Sequence, residues 1–278
     1  MDLSDVKLTK EQIKSFKTKG YLSIDELTDS EDVLFLRKLY DKIFSEKAGR
    51  DLGDQFDLAG TDEDGKAQSL PQILNPAKYA PEMNESRLLL NATKIAKQLL
   101  GDNAVCEFAH AIYKPPLIGS ETPWHQDAAY WKPHLRYNSV SIWIPLQEAT
   151  EENGCMQFMP HSHELDIITH QSINNDPRIH GLELSPEAIE KVNNSVVCPL
   201  KAGGATFHGP YMLHKTGPNK SDIPRRALIL NAMLPPETRD NPLKFRWLEE
   251  KETARDKRVK EAKNAGLDVM EAPTGEIK

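Results

Sequence analysis

The sequence predicts a mainly β protein with flanking helices. The first hundred residues carry apolar residues at helical spacing, whereas from Ala104 onward short β-branched or aromatic runs are separated by Pro, Gly and Asn. The bulk composition adds the third observation. A chain of 278 residues that is 38% hydrophobic and 28% charged has the balance of a globular protein with a sizeable core.

The elements follow in order. Thr9 to Gln12 has the pattern of a capping box, in which hydroxyl and amide side chains satisfy orphan backbone N–H groups at a helix start. Thr28 and Glu31 repeat it ahead of Val33, Leu36, Leu39, Tyr40 and Ile43, whose spacing makes one apolar helix face. A third helix is expected over about residues 85 to 100, stopped by Gly101. The polar, glycine-rich "GRDLGDQFDLAGTDEDGKAQ" between them reads as a loop.

"AVCEFAHAIYK", "NSVSIWIPLQEA", "CMQFMP", "NSVVCPL", "GATFHG" and "RRALILNAML" then have strand length and strand composition, and together predict a sandwich or barrel. Residues 161 to 194 read as an insertion rich in His, Asn and Asp, with a short helix near Pro186 to Val192. The charged tail from residue 244 reads as a solvated helix that frays into "MEAPTGEIK". The expected organisation is one domain over 1–278: a helical part to residue 103, a β core over 104–236, and the tail.

A formal charge of −7 argues against a dedicated nucleic-acid binder, because phosphate recognition needs clustered Lys and Arg. No run approaches the roughly 18 to 20 apolar residues of a spanning helix, and "MDLSDVKLTKEQ" lacks an apolar signal region. A cytoplasmic protein with no membrane or obligate protein partner is expected. Cys106, Cys155 and Cys198 are isolated, so neither a disulfide framework nor a CxxC motif is available, and each reads as a small buried hydrophobe.

The chemistry is concentrated in two segments. In "PWHQDAAY", extended backbone projects His125 and Asp127 to one face while Gln126 points away. Imidazole plus carboxylate suits a borderline divalent metal, and one more imidazole completes a 2-His-1-carboxylate facial triad. The segment "GGATFHGPYMLHKTGPNKSDIPRRALIL" offers His208 and His214 as that third ligand, then two arginines opening an apolar strand. A facial triad leaves coordination positions for a bidentate 2-oxo acid and O2, and an arginine fork can hold the acid's far carboxylate through two hydrogen bonds.

"WHQDAAYW", "WIPLQEATEENGCMQFMPHSH" and "HKTGPNKSDIPRRAL", in this order over about Ala104 to Leu234, resemble the phytanoyl-CoA dioxygenase family of Fe(II)- and 2-oxoglutarate-dependent oxygenases. The resemblance implies a double-stranded β-helix, a jelly-roll of cupin type, with N-terminal helices packed on one sheet. It implies His125, Asp127 and His214 as iron ligands. It selects His214 over His208, and Arg225, eleven residues beyond, as the 2-oxoglutarate anchor. Arg226, facing the other way on a strand, is structural or at the surface.

The same resemblance assigns Trp143, Thr216, His110, Tyr113 and Gln72 to the co-substrate pocket. Gln126, Tyr130 and Trp131 are the expected substrate contacts, and Lys132 and Arg136 belong to a lid for an anionic or aromatic substrate. The implied activity is hydroxylation, or another oxidation, of an unactivated C–H bond of a small molecule, with O2 consumed and succinate and CO2 released. Asp127 argues for oxygenation, because related halogenases carry a small residue there. His161 departs from the small residue the family carries in this turn, His163 is expected to be structural, and His134, His170 and His180 are expected at the surface. Two other readings use the same residues: a zinc hydrolase, since two His and a carboxylate also suit Zn²⁺, and a binding protein that retains the fold without catalysis.

Overall fold

The structure, a computed structural model, describes residues 6 to 269; "MEAPTGEIK" and the first five residues lie outside the described residues. The helices are α1 (Lys10–Lys19), α2 (Ser30–Ser45), α3 (Arg87–Leu100), α4 (Pro186–Ile189), α5 (Arg246–Glu249) and α6 (Ala254–Asn264). The strands are β1 (Tyr21–Ile24), β2 (Gln55–Asp57), β3 (Pro71–Leu74), β4 (Val105–Lys114), β5 (Thr122–His125), β6 (Leu135–Arg136), β7 (Ser139–Pro145), β8 (Met156–Phe158), β9 (His170–Ser172), β10 (Leu182–Leu184), β11 (Val196–Cys198), β12 (Ala205–His208), β13 (His214–Thr216), β14 (Arg225–Met233) and β15 (Glu237–Thr238). No described helix is long and apolar enough to cross a membrane.

Two antiparallel sheets form the core. The larger has the order β1-β12-β7-β14-β4-β3-β2 and the smaller β11-β8-β13-β5. Alternation along each strand divides the side chains. On β14, Leu228, Leu230 and Ala232 join Val140, Ile142 and Ile144 of β7 beneath the helices, whereas Arg225, Ile229 and Asn231 line an internal pocket. Helices α2 and α3 cover the outer face through Leu36, Tyr40, Ile43, Leu88, Ala92 and Ile95. This is the expected jelly-roll core with helices on one sheet.

Local signals account for the helix ends. Thr9 and Gln12 form the capping box of α1, and Gly20 closes it at φ 84°, a left-handed position that favours glycine. The start of α2 differs from expectation by one residue: Asp29 is the N-cap, accepting from the Asp32 N–H. Thr28 donates instead to the Asp32 carboxylate at 2.7 Å, because a carboxylate outcompetes a hydroxyl for the first turn.

Two segments correct the sequence reading. The expected loop after α2 contains β2 and is built around buried carboxylates. Asp57 accepts from the N–H groups of Ala59, Ser69 and Leu70, and Asp62 accepts from the Asp57 N–H, Gln68 and Arg50. The charged tail is not a solvated helix either. Trp247 donates to the Ala129 carbonyl at 2.9 Å, Arg255 is 3% exposed, and Arg258 pairs with Asp62.

Candidate active site

The pocket lies between the two sheets and encloses about 500 Å³. At one end β5 and β13 run antiparallel with His125 directly opposite His214, which sets their ring centroids 4.2 Å apart. The chain turns into a short 3-10 segment at Asp127, and its Oδ1 lies 3.7 Å from His125 Nε2 and 3.4 Å from His214 Nε2. One donor atom from each of the three lies within 4.8 Å of the others, close enough to share a metal ion.

The surrounding backbone selects the tautomers. His125 Nδ1 donates to the Pro123 carbonyl at 2.7 Å, and His214 Nδ1 to the Met212 carbonyl at 2.9 Å. A carbonyl only accepts, so each neutral ring carries its proton on Nδ1 and presents a bare Nε2 lone pair to the cluster. Burial, reinforced by His214, pushes His125 down to about 3, so it stays neutral near pH 7. Burial opposes ionisation of Asp127, yet His214 and His208 hold its carboxyl well below the usual carboxylate range. Two imidazoles that each turn Nε2 inward and a carboxylate are the donor set of a facial triad, and they fit Fe(II).

His208 stands beside this cluster rather than in it. Its Nε2 is 3.3 Å from Asp127 Oδ2, the oxygen turned away from the trio, which also accepts from Ser141. Ser141 was not singled out from the sequence. It lies two residues before Trp143 on β7, so strand parity could have found it.

Arg225 opens β14 and is 1% exposed. Its Cζ sits 5.5 Å over the Trp143 ring, and Nη1 reaches the Ile112 carbonyl only at 3.4 Å. Nε has no partner, and no carboxylate among the described residues pairs with the guanidinium, which burial lowers to about 10. Thr216, on β13 two residues after His214, presents a buried hydroxyl that is likewise unpartnered. A buried unpaired cation and hydroxyl in one pocket wall fit the far carboxylate of a 2-oxo acid.

The end of β13 is held in place from below. Lys114, fully buried, donates to the carbonyls of Ser120 at 2.7 Å and Gly217 at 2.6 Å. Gly154 has φ 89°, and a Cβ there would meet the Gly217 carbonyl oxygen at 2.4 Å, so the close approach of these two turns requires glycine. Arg226 faces outward and forms a two-point pair with Asp41 at 2.6 and 3.1 Å.

Gln72, His110, Tyr130 and Trp131 also line the pocket, as does Lys132, whereas Arg136 is exposed. Two expected contacts do not reach it. Tyr113 has the opposite parity to His110 and Ile112 and packs on Phe44 at 5.6 Å in the helical layer. Gln126 is fully buried, donating to the Tyr211 carbonyl at 2.8 Å and accepting from the Ile168 N–H at 3.0 Å, which ties the insertion to the turn between the two candidate ligands.

The histidines expected at the surface divide. His134 is half-buried and away from the pocket, but His170 is 3% exposed and accepts from the Gln126 N–H at 3.1 Å. His180 lines the pocket. His161 keeps the turn of its glycine-type position by adopting φ 68°, and His163 bonds the Lys17 carbonyl at 3.1 Å.

Comparison with known proteins agrees with this geometry. The family model for phytanoyl-CoA dioxygenase matches residues 16–227. The chain is 26% identical over 229 residues to a probable alpha-ketoglutarate-dependent hypophosphite dioxygenase of Stutzerimonas stutzeri, covering 79% of this chain and 77% of that protein. It is 26% identical over 246 residues to the ectoine dioxygenase of Sphingopyxis alaskensis, covering 83% and 78%. The crystal structure of EvdO2 from Micromonospora carbonacea complexed with 2-oxoglutarate superposes with a TM-score of 0.72 at 32% identity, covering 87% of this chain and 97% of that one. The chain therefore belongs to the phytanoyl-CoA dioxygenase family of Fe(II)- and 2-oxoglutarate-dependent oxygenases.

Proposed function

We propose that the protein hydroxylates an unactivated C–H bond of a small-molecule substrate, with Fe(II) held by His125, Asp127 and His214 and 2-oxoglutarate anchored by Arg225. The carrying observation is the buried, unpaired Arg225 in the wall of the pocket that holds the His-Asp-His cluster. A zinc hydrolase would have no use for that cation.

When bound, the metal and co-substrate supply the oxidising chemistry, with O2 consumed and 2-oxoglutarate converted to succinate and CO2. The chain supplies position. His125 and His214 would turn Nε2 to the metal because their Nδ1 protons are committed to backbone carbonyls. Asp127 adds the negative charge and is oriented through Ser141 on its other oxygen. Arg225 and Thr216 take the far carboxylate, and Trp143 packs against the guanidinium. Tyr130 and Trp131 bound the space left for substrate. The intact carboxylate at Asp127 favours hydroxylation over halogenation. The working location is cytoplasmic, with small molecules as partners.

Screening metabolites for substrate-dependent succinate release in the presence of Fe(II), 2-oxoglutarate and O2 tests this reading. At least one small molecule is expected to raise succinate above the His214→Ala background. Succinate at that background with every compound contradicts it.

A further inference from the structure

Beyond the metal cluster and Arg225, the pocket has a second polar wall that the co-substrate leaves unexplained. There β4, the insertion and the first turn of α6 bring together His110, His180 and Arg255. Three of their nitrogens are buried and without a partner: Nδ1 of His110, Nδ1 of His180 and Nη2 of Arg255.

The guanidinium is fixed while one of its edges is left open. Its Nε donates to the Gly53 carbonyl at 2.9 Å and its Cζ lies 5.3 Å over the Phe56 ring. Asp256 Oδ1 is 3.8 Å from Nη1, beyond hydrogen-bond distance, and the other oxygen of that half-exposed carboxylate accepts from Thr253. The His180 ring packs on the same Phe56 at 4.7 Å, so one buried aromatic holds both side chains. No carboxylate among the described residues is within hydrogen-bond distance of Arg255: the acidic lining residues are Asp127, placed in the metal cluster, and the exposed Glu107, while Asp256 and the buried Asp54 act on the guanidinium only through space.

A buried guanidinium with one nitrogen unpaired and no carboxylate in hydrogen-bond contact is costly unless a ligand completes it. A neutral imidazole can present an N–H to an oxyanion at either nitrogen, according to tautomer. The same pocket is also lined by apolar and aromatic side chains, Leu58, Leu74, Phe108 and Trp131 among them. We propose that His110, His180 and Arg255 form an oxyanion subsite, and that the substrate has an apolar body ending in a carboxylate or a phosphate. The inference rests on the assignment of Arg225 to 2-oxoglutarate, which leaves Arg255 for the substrate.

The test titrates phenylacetate, phenyl phosphate and neutral benzyl alcohol into the full chain, loaded anaerobically with Fe(II) and saturating 2-oxoglutarate, and reads heat of binding. At least one anion is expected to bind at least tenfold more tightly than benzyl alcohol, and the tighter anion identifies the acid group. Arg255→Gln is expected to weaken it by about tenfold to a hundredfold, the range of a charge-assisted hydrogen bond. His180→Phe, which keeps a ring on Phe56 and removes the nitrogens, is expected to weaken it several-fold, with 2-oxoglutarate affinity unchanged in both variants. If Arg255→Gln does not fold, His180→Phe decides alone. No anion binding, equal binding of all three probes, or anion binding that both variants leave intact overturns the subsite. A wild-type chain that does not bind 2-oxoglutarate overturns the co-substrate reading first, and this inference with it.

Discussion

Replacing Arg225 by Met should separate folding from co-substrate binding. The guanidinium is 1% exposed, packed on Trp143 and without a carboxylate partner among the described residues. Burying a charge without a partner costs several kcal/mol, and exchanging buried ionic groups for apolar residues of similar volume is often neutral or stabilising by about 1 to 4 kcal/mol. Arg225→Met without ligand is therefore expected to match or exceed the wild type in stability, by up to about 2 kcal/mol. Loss of charge-assisted bonds to a buried carboxylate should weaken 2-oxoglutarate by about 2 to 4 kcal/mol, roughly thirtyfold to a thousandfold. 2-Oxoglutarate at a hundred times the wild-type dissociation constant should stabilise the wild type by about 2.7 kcal/mol and the variant by about 0.1 to 0.9 kcal/mol. Denaturant unfolding with and without 2-oxoglutarate under anaerobic Fe(II) measures both quantities. Arg226→Ala, on the opposite strand face, should leave 2-oxoglutarate binding intact. Equal losses in the two variants, or a ligand-free Arg225→Met much less stable than wild type, would show that Arg225 is a structural cation and not the co-substrate anchor.

Three further outcomes follow from the same geometry. Ser141→Ala removes the hydrogen bond that orients Asp127 and should lower Fe(II) affinity by about tenfold to a hundredfold in an anaerobic titration; unchanged affinity removes Ser141 from the site's support. Burial pushes His170 down from 6.5 to about 4 in the folded chain, so the unfolded chain takes up its proton first as pH falls. Its stability contribution is complete above pH 6.5 and is lost between about 6.5 and 4, amounting to about 3 kcal/mol, so unfolding of His170→Gln should be less acid-sensitive by that amount. Identical acid profiles contradict this. Trp247→Phe deletes the indole donor to Ala129 and should cost about 1 kcal/mol in denaturant unfolding; no loss means the tail is held without it.

Legibility from sequence followed the range of the physical signal. Strand alternation has a period of two, so the opposed faces of Arg225 and Arg226 could be read from neighbouring residues. The same rule applied to β4 separates Tyr113 from His110, and only the helical layer supplied by Phe44 shows what Tyr113 packs on. The capping box of α1 and the HxD turn are equally local. Arg255 gives no such signal: within "ETARDKRVKEAK" it resembles any charge on a solvated helix, and its burial comes from Gly53 and Phe56, about two hundred residues away along the chain. His180 and Gln126 were obscure for the same reason, since their neighbours are set by the insertion folding back on the sheet. The segment around Asp57 and Asp62 has loop composition, and composition does not distinguish carboxylates that meet water from carboxylates that meet backbone N–H groups.

In the proposed site, His125, Asp127 and His214 hold iron beside an arginine that holds 2-oxoglutarate. Adding Fe(II) and then 2-oxoglutarate without oxygen, and recording the visible spectrum, tests it most directly. A weak charge-transfer band is expected that appears only with both, is lost in His214→Ala, and requires far more 2-oxoglutarate in Arg225→Met. No band in the wild type, with no succinate formed when oxygen is then admitted, would contradict it.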